Sequence, residues 1–188
     1  GLMRIVAGEL RGRAIRTPEG QGVRPTSDRA RQAVFNILEH APWSVGIEGR
    51  RVIDLFAGSG ALGLEALSRG ALKCLFVELS ETSLAAVRAN IRAFEIEERT
   101  RLVRQDAMRL GARHEGRPLF DIAFLDPPYA KGLAEPALQA LRTGRWLAPG
   151  AIAVLEQGAG EAPLEPEGFE VLDRRRYGAA QVSFLKLG

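Results

Sequence analysis

From Arg51 onward the chain alternates between short apolar runs and amphipathic stretches, and this alternation constrains the fold more than any other feature. Apolar runs fall at residues 52–56, 72–77, 122–125 and 151–155, with a weaker one at 101–104. Between them, residues 61–68, 80–94 and 133–141 carry apolar side chains at helical spacing. A strand that reads as an unbroken apolar run is buried on both faces. Strands of that kind separated by helices predict a parallel sheet with helices on both faces. The end of the chain breaks the rule. Residues 169–172 and 182–187 are separated by Arg174-Arg175-Arg176-Tyr177-Gly178, with no helical stretch between, which predicts a terminal antiparallel pair. The length, 188 residues, suits one such domain with a small appendage.

The appendage is expected at the start. Residues 4–7 and 13–17 flank a turn containing Gly8 and Gly12 and read as a β-hairpin. A hairpin this small is not stable alone and must pack on something. Residues 18–25 are rich in Gly and Pro and read as a loop. Thr26 or Ser27 is the expected N-cap of a helix running to about His40, with Ala30, Ala33, Val34, Ile37 and Leu38 on one face and Pro42 ending it. These features divide the chain at 41–50, into residues 1–45 and residues 46–188. Charge follows the same division. Residues 1–31 hold seven arginines against Glu9, Glu19 and Asp28, a net +4, which leaves 19 basic and 20 acidic residues elsewhere. Basic charge gathered at one end and carried by arginine predicts a phosphate-bearing partner, although a solvated basic face would look the same.

Other classes are disfavoured by composition. One cysteine, Cys74, excludes an internal disulfide and a multi-cysteine zinc site, and His40 and His114 lack ligand spacing, so no metal is expected. No apolar run approaches the roughly 18 residues of a membrane helix. No secretory leader is visible, and Gly1-Leu2 ahead of Met3 are set aside. The cytoplasm is the expected location by default.

The stretch Asp126-Pro127-Pro128-Tyr129 follows the apolar run at 122–125, so it lies at the carboxyl end of a strand, where open α/β sheets bind ligands. Two prolines stiffen the loop and remove two backbone donors, leaving bare carbonyls between a carboxylate and an aromatic ring. That set suits a flat heterocycle with an exocyclic amine. Asp126 and the Pro127 carbonyl can each accept one N–H, which favours a pyramidal, nucleophilic nitrogen. Tyr129 can stack on the ring, worth about 1–3 kcal/mol. Upstream, Gly58, Gly60 and Gly63 fit G-x-G-x-x-G after the first strand of the alternating region. Asp54 lies four residues before Gly58, where a carboxylate would repel a dinucleotide's diphosphate but suit a cationic amino-acid head such as that of S-adenosylmethionine. A local turn cap is the other role open to Asp54. Glu78 ends the next strand, placed to accept ribose hydroxyls, or is simply an exposed acid. Asp106 ends the third and could accept an adenine amine.

These residues make the chain resemble the class I (Rossmann-like) S-adenosylmethionine methyltransferases of the amino-modifying kind, marked by D/N-P-P-Y/F. The N-terminal Met3-Arg4-Ile5-Val6-Ala7-Gly8, Arg11-Gly12-Arg13, Arg24-Pro25-Thr26-Ser27-Asp28-Arg29-Ala30-Arg31 and Phe35-Asn36-Ile37-Leu38 are similar to the RsmD family. The resemblance runs through Arg176-Tyr177-Gly178. It implies a mostly parallel seven-stranded sheet with an antiparallel C-terminal strand pair, helices on both faces, and an N-terminal β-hairpin and helix. It implies methyl transfer to a guanine N2 of bacterial 16S rRNA, alone or within an assembled small subunit, by an enzyme expected to be a monomer. Asp54, Ala57, Gly58, Gly60, Glu78 and Asp106 would hold the cofactor. Asp126, Pro127, Pro128 and Tyr129 would be catalytic. The hairpin and the loop to Arg31 would contact RNA, through Arg4, Arg11, Arg13, Arg24 and Arg29. Ala57 stands where many methyltransferases have glycine, and Ser80 stands where an acid often follows the ribose-binding Glu. The alternatives are an adenine-N6 methyltransferase acting on DNA, a nicotinamide oxidoreductase with no use for D-P-P-Y, and a non-catalytic rRNA-binding assembly factor.

Overall fold

The computed structural model describes residues 3–18 and 27–188. The elements run β1 (Met3–Arg4), β2 (Ala14–Ile15), α1 (Asp28–His40), β3 (Arg51–Leu55), α2 (Ala61–Ser68), β4 (Lys73–Glu78), α3 (Glu81–Phe94), β5 (Thr100–Arg104), β6 (Phe120–Leu125), α4 (Ala134–Thr143), β7 (Leu147–Gly158), β8 (Phe169–Tyr177) and β9 (Ala180–Leu187). Strands β3 to β9 form one seven-stranded sheet in the order β5-β4-β3-β6-β7-β9-β8. The first four junctions are parallel and the last two antiparallel. This is the sheet expected from the alternation and from the C-terminal pair.

Alternate strand residues serve opposite faces. Val52, Phe76, Ile122, Phe124 and Val154 meet α1, α2 and α3 in one cluster. Ile53, Leu55, Ala123, Leu125 and Leu155 meet α4 in the other. The strands run longer than their apolar cores. β7 spans Leu147–Gly158 rather than 151–155, and β8 spans Phe169–Tyr177 rather than 169–172. Neighbouring strands supply backbone partners past the point where the hydrophobic pattern ends, as β9 does for Gln157 and Gly158. The hairpin shrinks instead. Its paired strands are two residues each, with Met3 opposite Ile15.

Met3, Ile5, Leu10 and Ile15 of the hairpin and Val34, Phe35 and Leu38 of α1 share one core cluster with Val52 and Leu64. Ser27 caps α1, its hydroxyl accepting from Ala30 N–H at 3.0 Å. The buried face of α1 is Arg31, Val34, Phe35 and Leu38, whereas Ala30, Ala33 and Ile37 are only half-buried. Fully buried Arg31 was not expected. Its guanidinium bonds Glu65 at 3.2 Å, Asp28 at 2.9 Å and the Arg4 carbonyl. Glu65, equally buried on α2, also accepts from Val6 N–H at 2.9 Å, Ala7 N–H at 3.1 Å and Arg69 Nε at 2.9 Å. One carboxylate therefore ties hairpin, α1 and α2 together, and one arginine of the basic segment is spent on the fold. Gly8, at φ +90°, completes the join, since a Cβ there would lie 1.9 Å from the Ser68 carbonyl oxygen.

Candidate active site

The order of the sheet reverses between β3 and β6, and a crevice opens at such a switch point beyond the carboxyl ends of the strands. Leu55 of β3 pairs with Leu125 of β6. The glycine loop after Leu55 and the Asp126–Tyr129 loop after Leu125 therefore start side by side, about 4.8 Å apart at their strands.

The glycine loop turns through positive φ at Phe56 (58°), Gly58 (58°) and Gly60 (81°). Gly60 N–H bonds the Ala57 carbonyl at 2.7 Å, and Ala57 N–H bonds the Val77 carbonyl at 3.2 Å. Gly63 lets α2 lie against the sheet, since a Cβ there would be 2.5 Å from Phe76 and 2.6 Å from Cys74 Sγ. A Cβ on Gly58 would meet nothing closer than 4.0 Å, so the outer side of that turn is open for a ligand. Glu78 reaches across from β4. Its Oε1 accepts from Gly58 N–H at 2.9 Å, and its Oε2 accepts from Leu79 N–H at 2.7 Å and Ser80 N–H at 2.8 Å. A carboxylate oxygen has two lone pairs, so Oε1 is oriented by the loop with capacity for one further donor. Asp106 accepts from Met108 N–H through Oδ1 at 2.9 Å, at the foot of a single turn after β5.

Asp54 lies beneath the glycine loop. It is 1 % exposed, and its Oδ2 accepts from Gly63 N–H at 3.0 Å. It holds the start of α2 from beneath, the turn-cap role that was open to it. Burial pushes its pKa up to about 8, with the Gly63 hydrogen bond opposing and Glu78 adding to the rise. A carboxyl that is largely neutral at pH 7 repels a diphosphate little, so the electrostatic case against a dinucleotide weakens. The residues present still fit an adenosine-bearing cofactor, with an open glycine turn and an oriented Glu78 at its rim.

On the other side of the crevice Pro127 is buried, Asp126 and Tyr129 are half-buried, and Pro128 is exposed. The Tyr129 hydroxyl donates to Glu156 Oε2 at 2.8 Å. Glu161 accepts from Ala130 N–H through Oε1 at 3.0 Å and from Gly158 N–H through Oε2. Ala130 takes a φ of +60°, uncommon for a residue with a Cβ, and the Glu161 bond holds it there. Gln181 secures the same corner through the Gly158 and Glu161 carbonyls, at 3.0 and 2.7 Å. Glu156, Glu161 and Gln181 were not read from the sequence. Glu156 carried a signal, an acid ending an apolar strand as Glu78 does. Glu161 lies in a Gly/Ala stretch and carried none.

Asn90 of α3 joins the N-terminal segment to the site. It accepts from Arg16 N–H at 2.8 Å and donates to the Arg16 carbonyl at 3.0 Å and the Ser59 carbonyl at 2.9 Å. Among the arginines expected on RNA, Arg11 and Arg29 are exposed. Arg4 is exposed but bonds the Gly12 carbonyl at 2.9 Å. Arg13 bonds the Ala93 carbonyl at 2.8 Å and lies 5.0 Å over the Phe94 ring. Arg24 lies outside the described residues. No group of three His, Cys, Asp or Glu among the described residues could hold a metal ion, and no helix among them is long and apolar enough to cross a membrane.

The sheet order, the glycine turn and the proline loop define a Rossmann-like class I methyltransferase fold. Residues 3–186 match the family described as conserved hypothetical protein 95. The chain is 35 % identical over 179 residues to the ribosomal RNA small subunit methyltransferase D of Haemophilus influenzae, covering 95 % of this chain and 90 % of that protein. It is 38 % identical over 156 residues to the protein of the same name in Escherichia coli K12, covering 83 % and 75 %. A solved Escherichia coli structure, provisionally described as the methyltransferase yhhF, superposes with a TM-score of 0.81 at 32 % identity, covering 100 % of this chain and 98 % of that one. The chain belongs to the RsmD family.

Proposed function

We propose that this chain transfers the methyl group of S-adenosylmethionine to the exocyclic N2 amine of a guanine in small-subunit (16S) ribosomal RNA. The observation that carries the reading is the placement of the Asp126–Tyr129 loop beside the glycine turn, at the ends of adjacent parallel strands. Family membership adds the RNA substrate. D-P-P-Y alone serves adenine N6 equally well; the relatives named for small-subunit ribosomal RNA favour RNA over DNA, and guanine is the base that the RsmD resemblance implies.

The cofactor supplies an electrophilic methyl group on a cationic sulfur. Glu78 accepts hydroxyl donors at its rim, and the turn at Gly58 admits it close to the backbone. Asp126 and the Pro127 carbonyl each accept one N–H of the target amine, so its lone pair is directed out of the base plane. Tyr129, fixed through Glu156, offers its ring to the base. Because the chain holds both reactants in one crevice, orientation supplies much of the rate. The base must leave its own stack to reach the loop. Arg4, Arg11, Arg13, Arg24 and Arg29 are proposed to take the phosphates around it, with the enzyme acting as a monomer in the cytoplasm on rRNA alone or in an assembled subunit.

Labelled S-adenosylmethionine tests the substrate class. Label should enter unmodified 16S rRNA or small subunits and not duplex DNA. Label in DNA and none in either RNA sample would overturn the reading.

A further inference from the structure

On the α4 face of β4 and β5 lies a second concavity of about 450 Å³, running from Arg51 and Lys73 at the strand starts to Val77 and Gln105 near the strand ends. It exists because the chain places no helix between β5 and β6. A single turn, Ala107–Arg109, is followed by an irregular stretch to Pro118. A parallel sheet is normally covered on both faces, but here one face of β4 and β5 is roofed by that stretch alone. The floor is apolar, formed by Leu75, Val77, Val103, Phe120 and Trp146. Phe120 and Trp146 stack with centroids 6.4 Å apart, and the Trp146 Nε1–H bonds the Gly111 carbonyl at 2.9 Å.

The rim is cationic. Six cations line the hollow: Arg99 is paired with Glu9, and Arg51, Lys73, Arg101, Arg113 and Arg117 are the other five, with Glu98 the acid among the lining residues. Among the described residues no carboxylate pairs with any of the five. Lys73 Nζ bonds the Glu98 carbonyl at 2.7 Å, and the Arg113 guanidinium is held by the Arg145, His114 and Arg117 carbonyls. Such bonds orient the charges without neutralising them. Asp121 meets the backbone N–H of Arg51 at 2.9 Å. Five cations around one hollow repel one another, and a bound polyanion relieves that repulsion. An apolar aromatic floor under a cationic rim matches a flat base joined to phosphate. The chain outside residues 1–31 is neutral to within one charge, yet folding gathers these cations from four separate segments.

We propose that this hollow is a second RNA-binding surface that takes an unpaired nucleotide of the substrate, base against the Trp146–Phe120 edge and phosphates among the five cations. The proposal rests on the reading of the substrate as RNA. Arg51 and Lys73 open β3 and β4, and β3 has five residues, so about 16 Å of strand separates these cations from the crevice. A substrate touching both therefore spans at least that distance.

The test compares the whole protein with the triple variant Arg51→Gln, Arg101→Gln, Arg117→Gln, titrating 16S rRNA across a salt series and S-adenosylmethionine separately. RNA affinity should fall at least tenfold at about 0.1 M salt. The log–log salt slope should shrink by about 2, near 0.7 for each phosphate that is no longer neutralised. Cofactor affinity should not move. Unchanged RNA affinity and slope would overturn the proposal, as would equal competition for the wild-type surface by polyglutamate. Arg117→Glu alone, on an exposed loop, repeats the test should the triple variant fold poorly. The slope is read from binding, so it answers even if the proposed methyl transfer to this RNA fails.

Discussion

The two loops that face each other across the crevice are held by the same device and written in the sequence very differently. After β3, the glycine turn is held by Glu78, a carboxylate at the end of the neighbouring strand. After β6, the D-P-P-Y loop is held by Glu156 at the end of its neighbouring strand and by Glu161 just beyond. In both, a loop that leaves its strand is secured by an acid from the strand beside it. The glycine turn must also bend through three positive φ values, and its outer side is open at Gly58. The proline loop is stiff already, and its acids set the direction of one ring and one backbone N–H. On the proposed reaction, the first half would tune how tightly a cofactor is held and the second how a base is presented.

Single substitutions should separate the halves. The largest effect is expected at Asp126→Ala. Methyl transfer at saturating cofactor should fall at least a hundredfold, the scale of losing one polar group made for the transition state. Cofactor affinity by calorimetry should stay within about twofold. A matching loss of cofactor affinity would merge the two halves. Glu78→Ala should do the reverse. The cofactor dissociation constant should rise about ten- to a hundredfold, the weight of charge-assisted hydrogen bonds of about 1.5–3 kcal/mol, while turnover at saturation and RNA affinity hold. A normal cofactor titration would remove Glu78 from the site. Glu161→Gln keeps one acceptor and loses the other. Turnover should drop several-fold with cofactor affinity intact, and a change confined to thermal stability would reduce Glu161 to a structural prop.

The smallest effect concerns Asp54. Its folded pKa of about 8 lies above the ordinary 3.8. Between those values the folded chain binds more protons than the unfolded one, so stability falls as pH rises from about 4 to 8. Asp54→Asn should remove that component and flatten the dependence, read as melting temperature against pH. Equal slopes in the two proteins would mean that Asp54 is already ionised in the fold.

Much of the fold was legible because parallel strands buried on both faces leave unbroken apolar runs, and helices between them show their own period. α2 was read to the residue, Ala61–Ser68, since glycine precedes it and Arg69-Gly70 follow. Strand ends were not, because β7 and β9 complete their ladder with Gln157 and Gly158, which carry no hydrophobic signal. The site divided along the same line. Gly58, Gly60 and Asp126–Tyr129 are local motifs whose chemistry sits in consecutive residues. Glu161, Asn90 and Glu65 act across 31, 74 and 59 residues to Ala130, Arg16 and Val6, and no local pattern marks such partners. Arg31 misled for the same reason. It counted as surface charge until Glu65, 34 residues on, buried it.

The most direct test of the proposed reaction is the identity of the methylated nucleoside. Unmodified 16S rRNA labelled by the enzyme would be digested to nucleosides and resolved against standards. The account predicts N2-methylguanosine, lost in the Asp126→Ala protein. N6-methyladenosine carrying the label would contradict it.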